Sequence, residues 1–495
     1  MTLFSQRLDW FLLADDNLLD PIVDEICKDL DNERIGNRRI QISRKQERLS
    51  CNLIINSLYQ GFFSIPPTQV SLPLRSFAYT GSNVGYRHIK KVYDFLKKTK
   101  LIKVKLGSEF AKKYSRIFPT KKLQLKFKKI GLKWRLYSYA DSYNPIVLRD
   151  KKESKGKLKG KLKAKDLPVP NNSTTNEYKT NLNRINRYLL KNCIALNVDD
   201  NARTAITKHF SDQSSKFKTQ ESHYSLNYSN VCLRRIFSRG SLELGGRFYG
   251  GWWQLLPKKY RPYITIGRKR TSEVDFSTMS LRILYAWENI DIPDNRDLYD
   301  IGLSGSDRYL EKSRDLIKTY TNAILNDDSG NFRLNKADLT TLKLSHNELK
   351  SRVYEFHKPI IKYFSTGVGL KTMLIDSQIA EKIMLYYLYD NVVVLPIHDS
   401  FIIRAGFETD LENTMKRIFY EVVGSKTKVK SVGGLRSEYF GNSPGLSNED
   451  PSYEVVSAKD TLEEILRPKS SIYDKYLNSW ELWQNSNYKD FYSNH

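Results

Sequence analysis

The sequence is poor in cysteine, in long apolar runs and in acidic residues. Its four cysteines, Cys27, Cys51, Cys193 and Cys232, are far apart and form no Cys-x-x-Cys pair. This spacing argues against a zinc module or a disulfide framework and indicates a reducing, intracellular setting. No run approaches the roughly 18 apolar residues of a membrane span, and acids occur too early in the chain for a secretion signal. Membrane-spanning and secreted proteins are therefore disfavoured.

The shortage of acid is the strongest compositional feature. The 495 residues include 55 Asp and Glu against 81 Lys and Arg, a formal net charge of +26. A field of this sign favours a polyanionic partner, and nucleic acid is the first candidate, although a merely basic soluble protein would share the excess. Hydrophobic residues make up 40% of the chain, enough for packed cores, and the length predicts roughly two to four domains. The expected location is intracellular, in the cytoplasm or nucleoid.

Changes in composition divide the chain. Residues 149–176 form a Lys-, Gly- and Ser-rich stretch broken by proline, which predicts a basic linker or loop after a basic first domain, 1–148. A C-terminal extension, 433–495, begins with a second loop-like stretch. It contains one short helical pattern, "AKDTLEEILR" (458–467), followed by an aromatic, polar tail.

Helical periodicity in the first domain predicts a basic helix. Apolar residues recur at helical spacing from Val84 to Leu96, and the following "LIKVKLG" alternates like a short strand. A basic helix followed by such a strand indicates a winged helix-turn-helix whose exposed face would contact phosphates. The residues predicted for that face are Arg87, Lys90, Lys91, Lys97 and Lys98. A solvated basic helix on an ordinary domain is the alternative.

Two aspartates stand in apolar, strand-like surroundings. Asp399 interrupts the run "VVVLPIHDSFII" (392–403), and Asp275 ends the strand-like "EVDF" just before a helical pattern. An unpaired carboxylate is costly to bury, so each position needs a binding partner. Carboxylates on adjacent strands could share two divalent ions, the arrangement that in-line nucleotidyl transfer requires. The bland alternative for an isolated His-Asp in a strand is a satisfied core pair.

A helical pattern, "YLEKSRDLIKTYTNAIL", lies between the two acids. Arg314 and Lys318 are four residues apart within it, so both cations lie on one helical face, where they could bind a triphosphate. In a chain with 81 basic residues such a pair also arises by chance. Its position between the acids is the informative observation.

Four elements in this order resemble motifs of the superfamily that contains family A DNA polymerases and the single-subunit RNA polymerases of phages and mitochondria. "LGGRFYGGWWQLLPKKYR" resembles the Gly-Arg element and Gln-x-x-Pro segment, "VDFSTMSLRIL" resembles motif A, "RDLIK" motif B and "PIHDSF" motif C. The resemblance covers residues 240–425. It implies a template-directed polymerase whose partners are nucleoside triphosphates, a DNA template and a DNA or RNA product.

The resemblance also implies the fold. We expect an α+β right-hand polymerase, with an antiparallel palm sheet, compact helical fingers and a helical thumb, joined to the winged-helix-like first domain. The implied bounds are a thumb-like helical region at 177–239, palm with motif A at 240–282, fingers with motif B at 283–369 and palm with motif C at 370–432.

Roles for individual side chains follow from the resemblance. Asp275 and Asp399, with the backbone carbonyl of Phe276, would hold two Mg²⁺ ions, or Mn²⁺ in their place. Arg314 and Lys318 would bind the nucleotide's phosphates, and Lys318 would also protonate pyrophosphate.

Three further residues would contact nucleic acid. His398 would meet the primer or product 3′ end, Arg247 the adjacent duplex, and Arg282 the primer or template. For Arg247 a structural loop role stays open, and for Arg282 an ion pair at the edge of the core is an equal alternative.

Departures from the family bear on the product. DNA polymerases of family A carry Glu five residues after the motif A Asp and directly after the motif C Asp, where this chain has Ser280 and Ser400. Both differences favour ribonucleotide use, by an RNA polymerase or primase. Against this, motif B has Asn322 and Asn326 where the family places aromatic residues, so the part of the fingers that reads the sugar is in doubt.

Other functions stay open at this stage. A family A-like DNA polymerase without a proofreading domain is the first alternative, since no acid pattern typical of an exonuclease stands out in the first 240 residues. A DNA-binding replication initiator or regulator with an inactive polymerase-like half is the second. A metal-dependent nuclease would require more acids near Asp275 than the sequence contains.

Overall fold

The computed structural model describes most of the chain. The described residues are 4–8, 12–32, 40–79, 84–107, 114–139, 143–150, 165–217, 225–432 and 471–487. The helices are α1 (Asp20–Asn32), α2 (Ile40–Phe63), α3 (Tyr86–Lys98), α4 (Lys121–Ile130), α5 (Ser173–Lys191), α6 (Asp200–Phe217), α7 (Met279–Trp287), α8 (Asp307–Asn326), α9 (Lys336–Leu342), α10 (His346–Phe356), α11 (Gly369–Tyr389), α12 (Glu408–Val423) and α13 (Ser471–Ser486).

The strands are β1 (Phe4–Arg7), β2 (Leu12–Ala14), β3 (Thr68–Leu72), β4 (Ile102–Lys105), β5 (Ser115–Pro119), β6 (Tyr137–Tyr139), β7 (Ile146–Arg149), β8 (Asp166–Leu167), β9 (Ile194–Leu196), β10 (Arg234–Ser238), β11 (Ser241–Tyr249), β12 (Ile264–Ile266), β13 (Lys269–Phe276), β14 (Val394–Ile397), β15 (Ser400–Arg404) and β16 (Val429–Val432). Helices and mainly antiparallel sheets give the mixed α and β composition that the sequence predicts.

The first unit contains a four-stranded sheet in the order β1-β3-β5-β4. β5 pairs antiparallel with both β3 and β4, and β1 runs parallel to β3. Along the chain α2 precedes β3, and α3 precedes the β4–β5 hairpin, so a basic helix is followed by a basic hairpin. One apolar cluster, from Leu8 to Phe127, fills this unit. The winged-helix assignment itself stays a prediction.

α3 forms because its apolar residues recur on one face. Ile89, Val92, Tyr93 and Leu96 are buried, and lysines occupy the last turn, where the negative end of the helix dipole favours cations. α4 repeats this arrangement with a shorter buried stripe. Both helices therefore turn their lysines away from the core.

The core of the first unit ends earlier than the predicted boundary at 148. Trp134 and Ile146 pack into the cluster of the following unit, because β7 pairs with β10 and extends a second sheet, β11-β10-β7-β8. The predicted linker, 149–176, is also partly ordered, since β8 and the start of α5 lie within it. Residues 151–164 are outside the described ranges.

The largest sheet has the order β14-β15-β13-β12-β9, and β16 also pairs with β13. All of its pairs are antiparallel. β13 is the central strand, with β15 along one edge and with β12 and β16 sharing the other. α11 and α12 pack against the sheet and bury its Val- and Ile-rich strands. Both candidate acids lie in this sheet, which is the one predicted for the palm.

The segment between the two acids has a core of its own. An apolar cluster running from Leu281 to Val368 joins α7, α8, α10 and the segments that connect them. A capping box formed by Ser345 and Glu348 starts α10. This unit corresponds in extent to the predicted compact fingers, 283–369.

The region predicted as a helical thumb, 177–239, is not helical throughout. α5 and α6 lie in it, but β9 stands between them and pairs with β12 in the largest sheet. The predicted helical region includes "CIAL" (193–196), yet α5 ends at Lys191. The short apolar run that follows becomes a buried strand because β12 offers it an edge.

α13 brings part of the C-terminal extension, 433–495, onto β9 of the largest sheet. The indole Nε1 of Trp480 donates to the carbonyl of Lys191 at 3.0 Å. The helical pattern predicted at 458–467 lies outside the described residues. Within the described part of the chain, every helix is too short or too polar to cross a bilayer.

Candidate active site

Asp399 lies in a tight turn rather than inside a strand. β14 and β15 form a hairpin in which Ile397 pairs with Ser400, so His398 and Asp399 make the turn. His398 has φ 55°, in the left-handed region that tight hairpin turns use and that few non-glycine residues adopt. The turn therefore projects the Asp399 carboxylate from the end of the sheet instead of burying it in the middle.

Backbone pairing brings Asp275 beside this turn. In β13, Asp275 pairs with Ser400 of β15. The backbone N–H of the next residue, Phe276, donates to the carbonyl of Asp399 at 3.1 Å. Two aspartates distant in sequence thus lie on neighbouring strand ends, as the two-carboxylate hypothesis requires.

The electrostatic surroundings of Asp275 are unusual for a carboxylate. Burial, and then the charge of Asp399, raise the pKa of Asp275 to about 7. Lys430 and Lys318 act in the opposite direction. A carboxylate with this pKa is only partly ionised near neutral pH, so a cation bound between Asp275 and Asp399 would restore its charge.

Lys430, which is not among the predicted site residues, is a neighbour of Asp275. It lies in β16, directly across from Asp275 on the edge of β13 that faces away from Asp399. Cross-strand neighbours point to the same face of a sheet, which explains why its charge acts on Asp275. The signal in the sequence is the alternating "KVKSV" (428–432) that follows α12.

Ser400 has a structural partner at the site. Its hydroxyl donates to Oε1 of buried Glu273 at 2.6 Å, and Nη1 of Arg261 donates to the same oxygen at 2.9 Å. Glu273 is two residues before Asp275 in β13. The three side chains therefore tie β13 to β15 directly beneath the two acids.

Arg247 is held by a buried acid on α11. Its Nε donates to Asp376, which is fully buried. Burial raises the pKa of Asp376 to about 7; Arg247 opposes this shift and the charge of Asp399 adds to it. Asp376 lines the same small cavity as Arg247 and His398. Sequence reasoning did not select Asp376, although an acid inside the apolar pattern of "MLIDSQIA" was a usable signal.

A glycine makes the approach of β11 to α11 possible. Gly246, with φ 80°, directly precedes Arg247, and a Cβ there would lie 2.9 Å from Phe237 and from Ser377. Any other residue would push α11 away or strain the strand. The Gly-Arg pair therefore aims Arg247 at Asp376. Arg247, which is predicted to contact the duplex, thus also has a structural role when no nucleic acid is bound.

The two cations of α8 have different surroundings. Lys318 is exposed, and its charge lowers the pKa of Asp275 against the larger effect of burial. Arg314, one turn earlier, is half-buried and is ion-paired with Asp297. Its guanidinium also lies 5.4 Å from the ring centre of Tyr299. Lys318 thus faces the acids, whereas Arg314 is already occupied by a side chain of the chain itself.

The residues predicted to read the sugar, Ser280 and Asn322, each contact another side chain of the protein. The hydroxyl of Tyr299 hydrogen-bonds with the side chain of Asn322, and burial raises the pKa of Tyr299 to about 12. Ser280, at the start of α7, accepts a hydrogen bond from Thr372 of α11 at 3.3 Å. Tyr299 therefore supplies an aromatic ring beside motif B from the preceding loop.

Arg282, for which a primer or template contact is predicted, lies in the core. Only 2% of it is exposed, and its guanidinium donates to the carbonyls of Ile292 at 2.9 Å and Pro293 at 3.4 Å. It joins α7 to the loop that follows, and burial lowers its pKa. This burial, together with an ion pair to Asp294 at 3.8 Å, favours the core-edge alternative, and the primer or template contact stays a prediction.

His398 remains available at the surface of the site. It is exposed in its turn, and its ring lies 5.7 Å from that of Tyr249 in an edge-on contact. Desolvation, followed by the charge of Arg247, lowers its pKa, while Asp399 opposes the shift. A neutral imidazole beside Asp399 is suited to a hydrogen bond with a hydroxyl group.

The basic residues predicted on α3 differ from one another. Arg87 is exposed. Lys90 forms an ion pair with Asp94 on the same helix, and Lys91 contacts buried Glu47 at 3.1 Å. These pairs reduce what Lys90 and Lys91 can offer to a phosphate.

The acids at the site can supply oxygen ligands but do not form a closed metal cage. Within the described ranges, no group of three or more His, Cys, Asp or Glu side chains is arranged to hold a metal ion. The site offers two carboxylates, Asp275 and Asp399, and the carbonyl of Phe276 stays a predicted ligand. An ion there would need further ligands from water or substrate.

Similarity to known proteins is slight. No family model and no curated protein matches the chain. One similar solved structure is the POL domain of Pol1 from M. smegmatis in complex with DNA primer-template and dNTP, at 12% identity and a TM-score of 0.30. The match covers 46% of this chain and about half, 51%, of that chain.

Proposed function

We propose that the chain is a template-directed nucleic-acid polymerase that transfers nucleotides by a two-metal mechanism. The observation that carries the proposal is the placement of Asp275 and Asp399 on neighbouring strand ends, with Lys318 of α8 in the field of Asp275. In-line nucleotidyl transfer needs divalent ions between a hydroxyl and a triphosphate, with cations nearby to bind the phosphates. These residue types at these positions suit that reaction.

The residues fit magnesium. Mg²⁺ is usually held by one or two carboxylates together with water and substrate phosphates, and Asp275, Asp399 and the carbonyl of Phe276 offer that set. The raised pKa of Asp275 supports the same assignment, because burial and then the charge of Asp399 disfavour its ionised form, and a bound cation would offset both effects. Two bound Mg²⁺ or Mn²⁺ ions would activate the attacking 3′-hydroxyl and stabilise the leaving pyrophosphate.

Other side chains would position the substrates. The 3′-oxygen of the growing strand forms a bond to the α-phosphorus, and the bond from that phosphorus to pyrophosphate breaks. Lys318 would bind the triphosphate and donate a proton to the departing pyrophosphate. Arg314 would also bind the triphosphate, once a contact with phosphate replaces its ion pair with Asp297. His398 would contact the 3′ end, and Arg247 the duplex next to it.

Ribonucleotides are the favoured substrate. Ser280 is small and leaves room for a 2′-hydroxyl where the DNA-polymerase relatives carry Glu, which favours an RNA polymerase or primase. A DNA polymerase without proofreading is the alternative. Motif B has Asn322 and Asn326 where the family places aromatic residues, so this motif does not support the ribonucleotide preference.

The first unit would bind DNA. Its order of α2, β3, α3 and the β4–β5 hairpin, with β5 antiparallel to both β3 and β4, supports the winged-helix prediction. The basic face of α3 and its neighbours would contact the phosphate backbone.

The test of the proposed reaction is incorporation of labelled rNTPs and dNTPs on primed and unprimed templates, with Mg²⁺ and with EDTA. We expect Mg²⁺-dependent synthesis that is lost in Asp399→Asn. Asp390→Asn is the matched control, because Asp390 is an exposed acid at the end of α11. Synthesis by Asp399→Asn within tenfold of wild type would contradict the two-metal assignment.

The sugar preference has its own test. Ser280→Glu should shift the ratio of rNTP to dNTP efficiency toward dNTPs by about 10- to 200-fold, a range typical of one steric or hydrogen-bonding difference. Ser280→Ala is the control, and should keep the wild-type preference. If the wild type already rejects rNTPs strongly, the DNA-polymerase alternative takes the lead.

A replication initiator or regulator with an inactive polymerase-like half is the second candidate. The ion pair between Arg314 and Asp297 favours it, because that pair occupies a cation expected to bind nucleotide. DNA binding without any incorporation in the experiment above would select this candidate.

A further inference from the structure

The first unit contains a long stretch, residues 95–139, whose one acid, Glu109, lies outside the described residues. Between Phe95 and Tyr139 the described residues are 95–107 and 114–139, and they include no Asp or Glu. The same residues include thirteen lysines and arginines. The stretch covers the end of α3, the β4–β5 hairpin and α4. The excess of positive charge in the chain is therefore concentrated here, and not spread evenly.

The fold joins the ends of α3 and α4. The backbone N–H of Thr120, which precedes α4, donates to the carbonyl of Leu101 at 3.0 Å. Its hydroxyl donates to the carbonyl of Lys100 at 2.9 Å. The last lysines of α3, the first lysines of α4 and the start of β4 thus meet at one end of the unit.

Exposed lysines cover this junction. We call them the lysine face; its members are Lys97, Lys100, Lys103, Lys121 and Lys122. All five are exposed, and within the described ranges none of them forms an ion pair. Lys90 and Lys91, earlier on α3, are paired with Asp94 and Glu47 instead. The structure therefore leaves the lysine face, and not the middle of α3, with uncompensated charge.

The surface around the lysine face distinguishes between kinds of polyanion. Single strands are bound through aromatic rings that stack on bases. In the described part of this stretch, the exposed large hydrophobic side chains are Leu106, Tyr114 and Leu125, of which one is aromatic. A membrane-surface helix would need an apolar face open to lipid, but the apolar stripe of α4, Leu123 and Phe127, is buried in the unit. The backbone of a duplex is the partner that these features fit.

We infer that the lysine face binds the phosphate backbone of duplex nucleic acid and supplies most of the affinity of the first unit. The inference deepens the proposed function, because it rests on nucleic acid as the partner and identifies where the duplex is held. It also shifts the main contact from Arg87, Lys90 and Lys91 to the junction of α3, β4 and α4. Phosphate contacts of this kind give no base specificity.

The test measures duplex affinity against salt concentration without nucleotide. The variant Lys97→Gln/Lys121→Gln/Lys122→Gln is compared with wild type on a fluorescein-labelled blunt duplex. Each lost phosphate contact should lower the slope of log K against log salt by about 0.9, so three should lower it by about 2.7. Affinity at physiological salt should fall at least about tenfold.

Two control variants fix the interpretation. Lys97→Arg/Lys121→Arg/Lys122→Arg keeps the charge and should keep the slope. Lys382→Gln/Lys416→Gln/Lys426→Gln removes the same charge from exposed lysines of the palm, and should change the slope by less than one contact. Thermal unfolding of all three variants should match wild type, since the substituted side chains are exposed.

Several results would overturn the inference. An unchanged slope in the glutamine variant, or an equal loss in the palm control, would mean that the lysine face is not the binding site. Tighter binding to a single strand of the same length, or binding to phosphatidylserine vesicles that the variant loses, would reject the duplex as partner. The experiment is independent of catalysis, because Asp399→Asn should bind the duplex as wild type does whether or not the chain is a polymerase.

Discussion

Charged side chains around Asp275 and Asp399 are of both signs, and the acids among them are partly or fully buried, whereas the side chains of the lysine face are exposed and of one sign. Burial shifts the pKa values of Asp275 and Asp376 to about 7, because each ionised form loses water and meets another carboxylate. Exposure leaves lysines hydrated and screened by salt. The site around Asp275 and Asp399 should therefore respond to pH and to single substitutions. The lysine face should respond to ionic strength and to several substitutions made together.

The largest effect is expected for Asp275→Asn. Loss of a metal-binding carboxylate should reduce synthesis by about 1,000-fold, since several kcal/mol of transition-state stabilisation depend on the ions. Rates of single-nucleotide incorporation at saturating Mg²⁺ measure this loss. Duplex affinity should stay within about twofold of wild type, because it comes from many phosphate contacts. A rate within tenfold of wild type would contradict the metal-binding role of Asp275.

The same variant should be more stable than wild type at high pH without metal. The pKa of Asp275 is raised from 3.8 to about 7 in the fold, so the folded chain binds more protons than the unfolded chain between these values. Stability therefore falls as pH rises through this window, and the full cost is present above pH 7. Urea unfolding in EDTA at pH 8 should show Asp275→Asn to be about 1–2 kcal/mol more stable, with no difference at pH 4. Equal stability at pH 8 would mean that Asp275 ionises without cost.

The next effect separates the two cations of α8. Lys318→Ala should lower kcat/KM for nucleotide by about 100-fold, because it removes both charge and a proton donor. Arg314→Ala should cost about tenfold, since Asp297 already neutralises that guanidinium. Steady-state kinetics with varied nucleotide give both values, and Lys312→Ala, an exposed lysine of the same helix, is the control. The reverse order would show that Arg314, not Lys318, meets the triphosphate.

A smaller effect is expected for Lys430→Ala. Lys430 lowers the pKa of Asp275 across the strand pair, so its loss should raise that pKa and move the acid limb of the pH–rate profile to higher pH. Activity should fall about threefold at pH 6.5 and be nearly unchanged at pH 8.5. Lys430→Arg should keep the wild-type profile. A loss that is the same at both pH values would assign Lys430 to substrate binding instead.

The smallest effect is expected for the triple variant Arg87→Ala/Lys90→Ala/Lys91→Ala. Lys90 and Lys91 are engaged by Asp94 and Glu47, so about one phosphate contact should be lost and the salt slope should fall by about 0.9. The measurement is the duplex titration used for the lysine face. A fall of about 2.7 would place the main contact on the middle of α3 and contradict the contrast with the junction.

Sequence patterns predicted the helices and strands that depend only on neighbouring residues. The apolar run before Asp399, the strand–helix change after Asp275 and the helical spacing of Arg314 and Lys318 each depend on a few neighbouring residues, and the structure has these elements in place. The buried stripe of α3 was predicted for the same reason. Periodicity follows from the geometry of one helix or strand and needs no knowledge of what packs against it.

Partners distant in the chain could not be predicted in this way. Asp376 lies 129 residues from Arg247, and Lys430 faces Asp275 only because β16 returns to the edge of β13. The two alternatives for Arg282 stay equal in the sequence, because its carbonyl partners lie in the next loop. The sequence "CIAL" falls within the predicted thumb-like helical region, because the edge that β12 offers it is a property of the whole sheet.

The turn that carries Asp399 has a consequence for how this chain can vary. Strand pairing on both edges of β13, together with the hydrogen bond from Phe276 to Asp399, fixes the spacing of the two acids within the sheet alone. The 283–369 unit has a separate core and joins the sheet through α7 and α11. The segment between the two acids could therefore be lengthened, shortened or exchanged for another while Asp275 and Asp399 keep their spacing.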